Sequence, residues 1–600
     1  MPEYLAPGVY VEEVSFSAPT IEGVGTTTTG FAGPTLTGPI SGSAYGGLTA
    51  AGSPTAGVPQ LLTSFGDFQN VYGGFGNLSF SGTPTINYMA MAVKGFFDNG
   101  GSMLYVSRVF SQAGPADFGY ASNTSGGVTV AGRFPGALLN NQIVTVTLIA
   151  QKTQNVSNLP AGSLLGVPGD AAQGANPATT AVFYTNGTSG AFALSTDSTT
   201  ALPTPLPSNL YVLTLQVTAP GAGGQQLVYS SLGLDPSGAN YIGNVLGVNP
   251  PRAIDQLQNQ IWFNLGANPL TATALFNELF ASWPDPAVVT TPATPTPSTT
   301  FTLSGGDDGA QPINQQYTTA LSYFEPLEDI AIVATPGAGA YTDTSIQEVA
   351  LIEHVERQRA YRVAILETAP ALLAAGFETA RAQIDSSYAA MYVPWVVTPN
   401  PLAMAGTAIP AQITVPPTGF MAGIYARSDE QNSVAKAPAN EVVLGAIDFE
   451  RHIAFAEQAT LNPLGINCLR FFPDRGYLVW GARTVSSDTS LMYVNVRRYL
   501  VYLEHSIDNG TQWAVFENNG PTLWARVTDS IESFLNNEFA EGNLFGTSPS
   551  NAYFVRCDQT TMTQNDLDNG RMICVIGVAL LKPAEFVIFR IGQMTASAQS

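Results

Sequence analysis

Residues 328–370, EDIAIVATPGAGAYTDTSIQEVALIEHVERQRAYRVAILETAP, decide the fold class. The first part, EDIAIVATPG (328–337), is a short continuous apolar run, and so is the last, YRVAILETAP (361–370). Between them TSIQEVALIEHVERQRAYR (344–362) spaces Ile346, Val349, Ile352 and Val355 at helical intervals. A wholly apolar strand has to be covered on both faces, and a strand, helix, strand order covers it with a parallel neighbour. The segment therefore predicts one unit of a parallel α/β sheet.

Downstream, FETARAQIDSSY (377–388) and AAMYVPWVV (389–397) add a further helix and strand. Upstream, INYMAMAVKGFFDNGGSMLYVSRV (86–109) sets Met89, Val93 and Phe96 on one helical stripe, ends the helix near DNGG and resumes as a strand. Composition shifts between these halves, since residues 115–324 hold three basic and nine acidic side chains. Alternating stretches such as QIVTVTLIA (142–150) and NLYVLTLQVTA (209–219), with the linker TPATPTPSTT (291–300), predict a β-rich insert. The expected division is an arm at 1–25, core at 26–114, insert at 115–324, core again at 325–480, a C-terminal α+β domain at 481–582 and a second arm at 583–600.

In the C-terminal part, TLWARVTDSIESFLNNEF (522–539) spaces Leu523, Val527, Ile531 and Phe534/Leu535 as an amphipathic helix opened by Gly520-Pro521. AYFVRCD (552–558) and the start of RMICVIGVALLKPAEFVIFRI (571–591) predict a hairpin across 559–571. Both chain ends, YLAPGVYVEEV (4–14) and AEFVIFRI (584–591), read as isolated extended strands. Their backbone groups need partners from elsewhere.

Composition removes several function classes. Charged residues are 11% of the 600 and the formal net charge is −22, whereas nucleic-acid binding needs a basic surface. Neither a signal peptide nor a run of about 18 apolar residues is visible, so membrane insertion is not expected and folding in a cytoplasm is. The three cysteines, Cys468, Cys557 and Cys574, lack CxxC spacing and read as buried thiols. Phosphate-loop, nucleophile-elbow, HExxH and dinucleotide fingerprints are absent. Of His354, His452 and His505, only His452 has an acid four residues before it, Asp448, a spacing typical of surface contacts. Glu325, Glu328 and Asp329 lack the spacing of a Ca²⁺ loop and read as solvated charge. No catalytic residue, cofactor or metal is expected.

Several ordered motifs resemble the contractile tail sheath proteins of bacteriophages and phage-derived injection systems. They are YLAPGVYVEEV with IEGVGTTTTGFAG (21–33), GIYARSDEQNSVAKAPANEVVLGAIDFE (423–450), LNPLGINCLRFFPDRGYLVWGARTVSSD (461–488), YVNVRRYLVYLEHSIDNGTQWAVFENN (493–519) and residues 554–591. The insert carries no such resemblance. The resemblance implies a subtilisin-like α/β core without protease residues, and subunits stacked as six-membered rings around an inner tube. A baseplate holds such sheaths extended until contraction drives the tube through a target envelope. The implied partners are other sheath subunits, the tube protein, and baseplate and cap proteins. Assembly is expected in the bacterial cytoplasm, within a virion or an injection particle.

The resemblance also implies that each arm adds a strand to a neighbour, which is the remedy the unpaired strands need on physical grounds. The donated residues are then Val9, Tyr10, Val11, Glu12, Glu13 and Val14 at one end and Phe586, Val587, Ile588, Phe589, Arg590 and Ile591 at the other. The receiving hairpin contains Phe554, Val555, Arg556, Ile573, Cys574, Val575 and Ile576. Pro7, Gly8 and Pro583 are hinge candidates, and Arg526, Arg497 and Arg498 are inner-tube contact candidates, Arg497 and Arg498 being equally open to internal salt bridges with nearby acids. The insert is expected on the outside of the tube. A non-contractile surface or fibre protein is the alternative, disfavoured by the missing export signal and repeats.

Overall fold

The computed structural model describes residues 20–40, 59–112, 119–168, 181–186, 191–195, 197–248, 250–265, 270–280, 283 and 297–589. The main sheet has eight strands: β1 (Thr29–Gly33), β2 (Leu61–Leu62), β3 (Leu104–Arg108), β4 (Ile332–Ala334), β5 (Val363–Leu366), β6 (Ala389–Val393), β7 (Ile466–Phe472) and β8 (Gly476–Val479). Their spatial order is β2-β3-β1-β4-β5-β6-β7-β8. Every neighbouring pair from β3 to β7 is parallel, and antiparallel β2 and β8 close the edges. The fold is mixed α/β.

Alternation along each strand feeds two cores, one per face. Ile332 and Ala334 enter the first, with Phe31, Ile365 and Tyr392, while Val333 enters the second with Ala364, Leu366 and Met391. Helices α1 (Tyr88–Asp98) and α2 (Thr418–Gln431) cover the first face, where Met89, Val93 and Phe96 are buried. They pack closely because Gly419 and Gly423 lie at the crossing. A Cβ at Gly419 would stand 2.3 Å from the Ala92 carbonyl oxygen.

The helix expected over 344–362 is shorter and differently wound. Its first turns, Ile346–Leu351, are π-helical, and the α-helix Ile352–Glu356 completes it. The wider i→i+5 turn shifts the buried stripe. Gln347, Ala350 and Leu351 turn inward beside Ile346, Ile352 and Val355, whereas Val349 is 37% exposed.

Residues 143–302 contribute a second sheet, also of eight strands, in which Ile143–Lys152 and Tyr211–Pro220 pair antiparallel along most of their length. Tyr211–Pro220 alternates buried and half-buried positions, the pattern of one face against a core. Two buried polar side chains lash together the segments that flank this part. Arg108 donates to the carbonyls of Gly38 (2.9 Å) and Pro135 (2.8 Å), and Asp308 accepts from the backbone of Ser79 (2.8 Å) and Ala137 (2.7 Å).

After the main sheet come α3 (Val494–Gly510) and α4 (Pro521–Ala540). Leu523, Val527, Ile531, Phe534 and Leu535 of α4 form a core with Tyr499 and Leu503 of α3. The hairpin of β9 (Tyr553–Arg556) and β10 (Val575–Val578) closes this unit.

Candidate inter-subunit docking site

Among the described residues β9 and β10 pair only with each other, so the hairpin keeps backbone edges open to further strands. Tyr553, Val555, Cys574, Ile576 and Val578 turn toward the core built on α4. Phe554 (53% exposed), Arg556, Ile573 and Val575 face out. Of the seven hairpin residues singled out from sequence, four thus face outward, while Val555, Cys574 and Ile576 support the hairpin from beneath.

The chain past β10 is anchored twice before it becomes free. Asn495 of α3 donates to the Leu581 carbonyl (3.0 Å). Glu585 is then gripped by Arg483, whose Nε and terminal nitrogen reach the two carboxylate oxygens at 2.9 and 2.5 Å, by Asn462 (2.6 Å) and by the Tyr493 hydroxyl (3.2 Å). Pro583 therefore sits between two fixed points, and Phe586 is the first residue beyond them. Phe586, Val587, Ile588 and Phe589 are 73%, 68%, 80% and 84% exposed and belong to no strand of this protomer. Four consecutive exposed apolar side chains are unusual on a soluble surface. Arg590 and Ile591 lie outside the described residues, as do Val9–Val14, Pro7 and Gly8.

The root of the N-terminal arm is described and runs along the same helix. Ile21 is buried in the α3–α4 core, where a Cβ at Gly510 would stand 2.6 Å from it, and Val24 N–H donates to Ser506 Oγ (3.1 Å). Thr26 Oγ1 donates to Asp429 (2.6 Å), and its carbonyl accepts from Arg498 (3.1 Å). Asp429 and Arg498 form a two-pronged ion pair, 2.8 and 2.6 Å, with both side chains 3% exposed. Arg498 also lies over the Tyr425 ring, 4.7 Å from its centroid.

This geometry corrects two of the tube-contact candidates. Arg498 is committed to Asp429 in the interior, and Arg497 is buried with its guanidinium 3.5 Å from the centroid of the Tyr388 ring. The helix that carries them is covered by the arm root on one side and the main sheet on another. Arg526 of α4 is exposed beside Trp513. Glu585, Arg483 and Asn495 were missed; the one available signal was a lone acid at the head of an apolar terminus.

The histidines have local roles. His452 Nε2 meets Asp448 (2.9 Å) at the exposed surface. His354 is held neutral, its pKa pushed down to about 3 by burial and by Arg362 and Arg357. Glu325 pairs with Arg357 (3.2 Å), and among the described residues no group of three His, Cys, Asp or Glu is placed to hold a metal ion. No described helix is long and apolar enough to cross a membrane.

Comparison with known proteins bears on this arrangement directly. Residues 310–485, from the end of the second sheet through β8, match the phage tail sheath protein central domain. Residues 486–593, which hold α3, α4, the hairpin and the exposed arm, match the phage tail sheath C-terminal domain. The chain belongs to the phage tail sheath family. A prophage major tail sheath protein of Pseudomonas aeruginosa (strain UCBPP-PA14) is 26% identical over 180 residues, 29% of this chain and 45% of that relative's length. A chain of the anti-feeding prophage baseplate is 30% identical, covering 47% of this sheath protein and 74% of its own length, with a TM-score of 0.41. The helical sheath of the same anti-feeding prophage in its contracted state is 18% identical over 98% of this chain and 100% of its own, with a TM-score of 0.50. The mixed α/β architecture is thus that of a sheath protein.

The grip on Glu585 gives a pH-dependent expectation. Burial raises its pKa, but the Arg483 fork, Asn462 and Tyr493 outweigh burial and hold it below the ordinary 4.5. A carboxylate depressed in the folded state contributes fully above its unfolded pKa and loses that contribution as pH falls through the folded one. The anchor should hold at neutral pH and release only in acid, below the ordinary glutamate range. Hydrogen exchange at 581–585 should then rise in acid, and Glu585→Ala should show the same fast exchange at pH 7. Unchanged protection in the variant would mean that the arm root is held elsewhere.

Proposed function

We propose that this chain is the subunit of a contractile sheath, polymerising as stacked six-membered rings around an inner tube and shortening to drive that tube through a target envelope. The observation that carries the reading is one chain offering both halves of a strand-exchange joint. It has an apolar strand without a sheet at Phe586–Phe589 and a two-stranded sheet with open edges at β9–β10. Phe586–Phe589 pair with none of the described strands of this protomer, so a neighbour's hairpin is the acceptor assigned to them. The N-terminal strand Val9–Val14 is assigned the same role, with Pro7 and Gly8 as its hinge. On the C-terminal side the pivot is moved from Pro583 to the Glu585–Phe586 bond.

Contraction then needs two packings of rigid subunits connected by arms, with the shorter packing lower in free energy. A subtilisin-like core would serve as that rigid body, without catalysis. Arg526 on α4 is the retained candidate for contact with the tube, an exposed cation whose pairing is weak enough to release on firing. Baseplate and cap proteins would bound the assembly, formed in the bacterial cytoplasm. The insert lies outermost on this reading.

Electron microscopy of the expressed protein tests it. Striated hollow tubes, long and narrow when assembled on the inner tube and shorter and wider without it, are expected. Monomers or thin solid fibres at all concentrations would point instead to a non-contractile surface protein.

A further inference from the structure

The loop end of the hairpin carries two thiols whose placement follows from the ladder. β9 and β10 pair from Tyr553 opposite Val578 to Arg556 opposite Val575, so the next step outward sets Cys557 opposite Cys574. At the other end Ala579 N–H donates to the Ala552 carbonyl (2.7 Å), which makes Ala552 and Ala579 a hydrogen-bonded pair in the same register. Hydrogen-bonded and non-hydrogen-bonded pairs alternate along an antiparallel ladder. Counting from Ala552 and Ala579, Arg556 and Val575 are hydrogen-bonded, and Cys557 and Cys574 are not. At a non-hydrogen-bonded pair the α-carbons approach to about 4.5 Å and the side chains converge, within the span of about 4.4–6.8 Å that a disulfide bridges.

Side-chain packing agrees with this count. Cys557 is buried and Cys574 half-buried on the face turned to α4, and both join an apolar cluster with Trp524 and Met562. Each thiol is within hydrogen-bonding reach of the other. Cys468 is different, alone in the core of the main sheet.

We propose that Cys557 and Cys574 are a redox pair that closes into a cross-strand disulfide when a small-molecule disulfide such as oxidised glutathione supplies the oxidising equivalents. The partly exposed Cys574 thiolate attacks the oxidant and expels one glutathione thiolate. The Cys557 thiolate then attacks the Cys574 sulfur of the mixed disulfide and expels the second. Two protein S–H bonds and one glutathione disulfide become one protein disulfide and two glutathione thiols. The bond would clamp the strands where they meet the loop and close the loop 558–573, leaving the outward face of Phe554, Arg556 and Val575 untouched. Burial holds the Cys574 thiol up at about 12, so closure is slow at neutral pH and accelerates with hydroxide.

The experiment incubates the native full-length protein with oxidised glutathione at about pH 9, then alkylates the remaining thiols and maps peptides by mass spectrometry. A cross-linked Cys557–Cys574 peptide lighter by two hydrogens is expected, with Cys468 retained as a thiol. The rate should fall roughly tenfold per unit of pH below that. Cys557→Ser should stop at a glutathione adduct on Cys574, which separates facing thiols from a merely reactive one. Wild-type protein that accumulates the Cys574 adduct without the cross-link, or that keeps both thiols free while an unfolded control oxidises, overturns the proposal.

Discussion

Removal of residues 586–600 is expected to leave a folded protomer that no longer polymerises. The deleted segment begins one residue beyond the Glu585 anchor, so the hairpin, α3 and α4 keep every contact described for them. What is lost is the donated strand. Burying each of the four exposed apolar side chains contributes about 1.5–3 kcal/mol, and each ladder hydrogen bond adds about 0.5–1.5 kcal/mol net. Part of that gain is offset by ordering the arm, but the joint recurs at every subunit, so its loss multiplies through the lattice. Sedimentation should find monomers with an unchanged melting profile, where the full chain gives particles. Normal tubes from the truncated chain would sink the strand-donor assignment, and a collapsed melting profile would mean that the tail belongs to the protomer's own fold.

Asp429→Ala should be the most damaging single substitution in the interior. It leaves the Arg498 guanidinium buried with only the Thr26 carbonyl and the face of Tyr425 as partners. Breaking a buried ion pair from one side costs about 3–5 kcal/mol. Because Thr26 Oγ1 also loses its acceptor, the root of the N-terminal arm should loosen together with α3. A denaturant titration should show the lower midpoint, and proteolysis should cut sooner between residues 20 and 28. A midpoint within error of the parent would show that water replaces the carboxylate at little cost.

Legibility from sequence depended on whether a feature was local. The strands at 332–334 and 363–366 and helix α4 follow from runs and spacings that hydrophobic burial fixes by itself. The π-turn at Ile346–Leu351 did not, because Val349 fits the α-helical stripe as well as its neighbours do and only the packing decides which turn is used. At the docking site, the apolar arm and the hairpin were readable as patterns. For Arg497 and Arg498 the sequence left tube contact and internal pairing equally open, because burial of a cation depends on a partner 69 positions away in the case of Asp429. Glu585 was invisible for the same reason, since its partners Arg483, Asn462 and Tyr493 lie 92 or more positions upstream.

Helix α3 receives both arms at different ends. The C-terminal arm is tied at Tyr493 and Asn495, and the N-terminal arm at Ser506 and Gly510. Seventeen residues separate the helix termini, about 25 Å at the usual rise per residue. If neighbours pull on the two arms, tension enters at one end of this rod and leaves at the other, carried in series by a continuous ladder of axial hydrogen bonds. The main sheet shares this load, because Thr26 precedes β1 and is bonded to Asp429 of α2, and because Glu585 is held by Arg483 and Asn462 as well as by Tyr493. On the proposed strand-exchange reading, the protein is in mechanical terms a short strut with two cords attached.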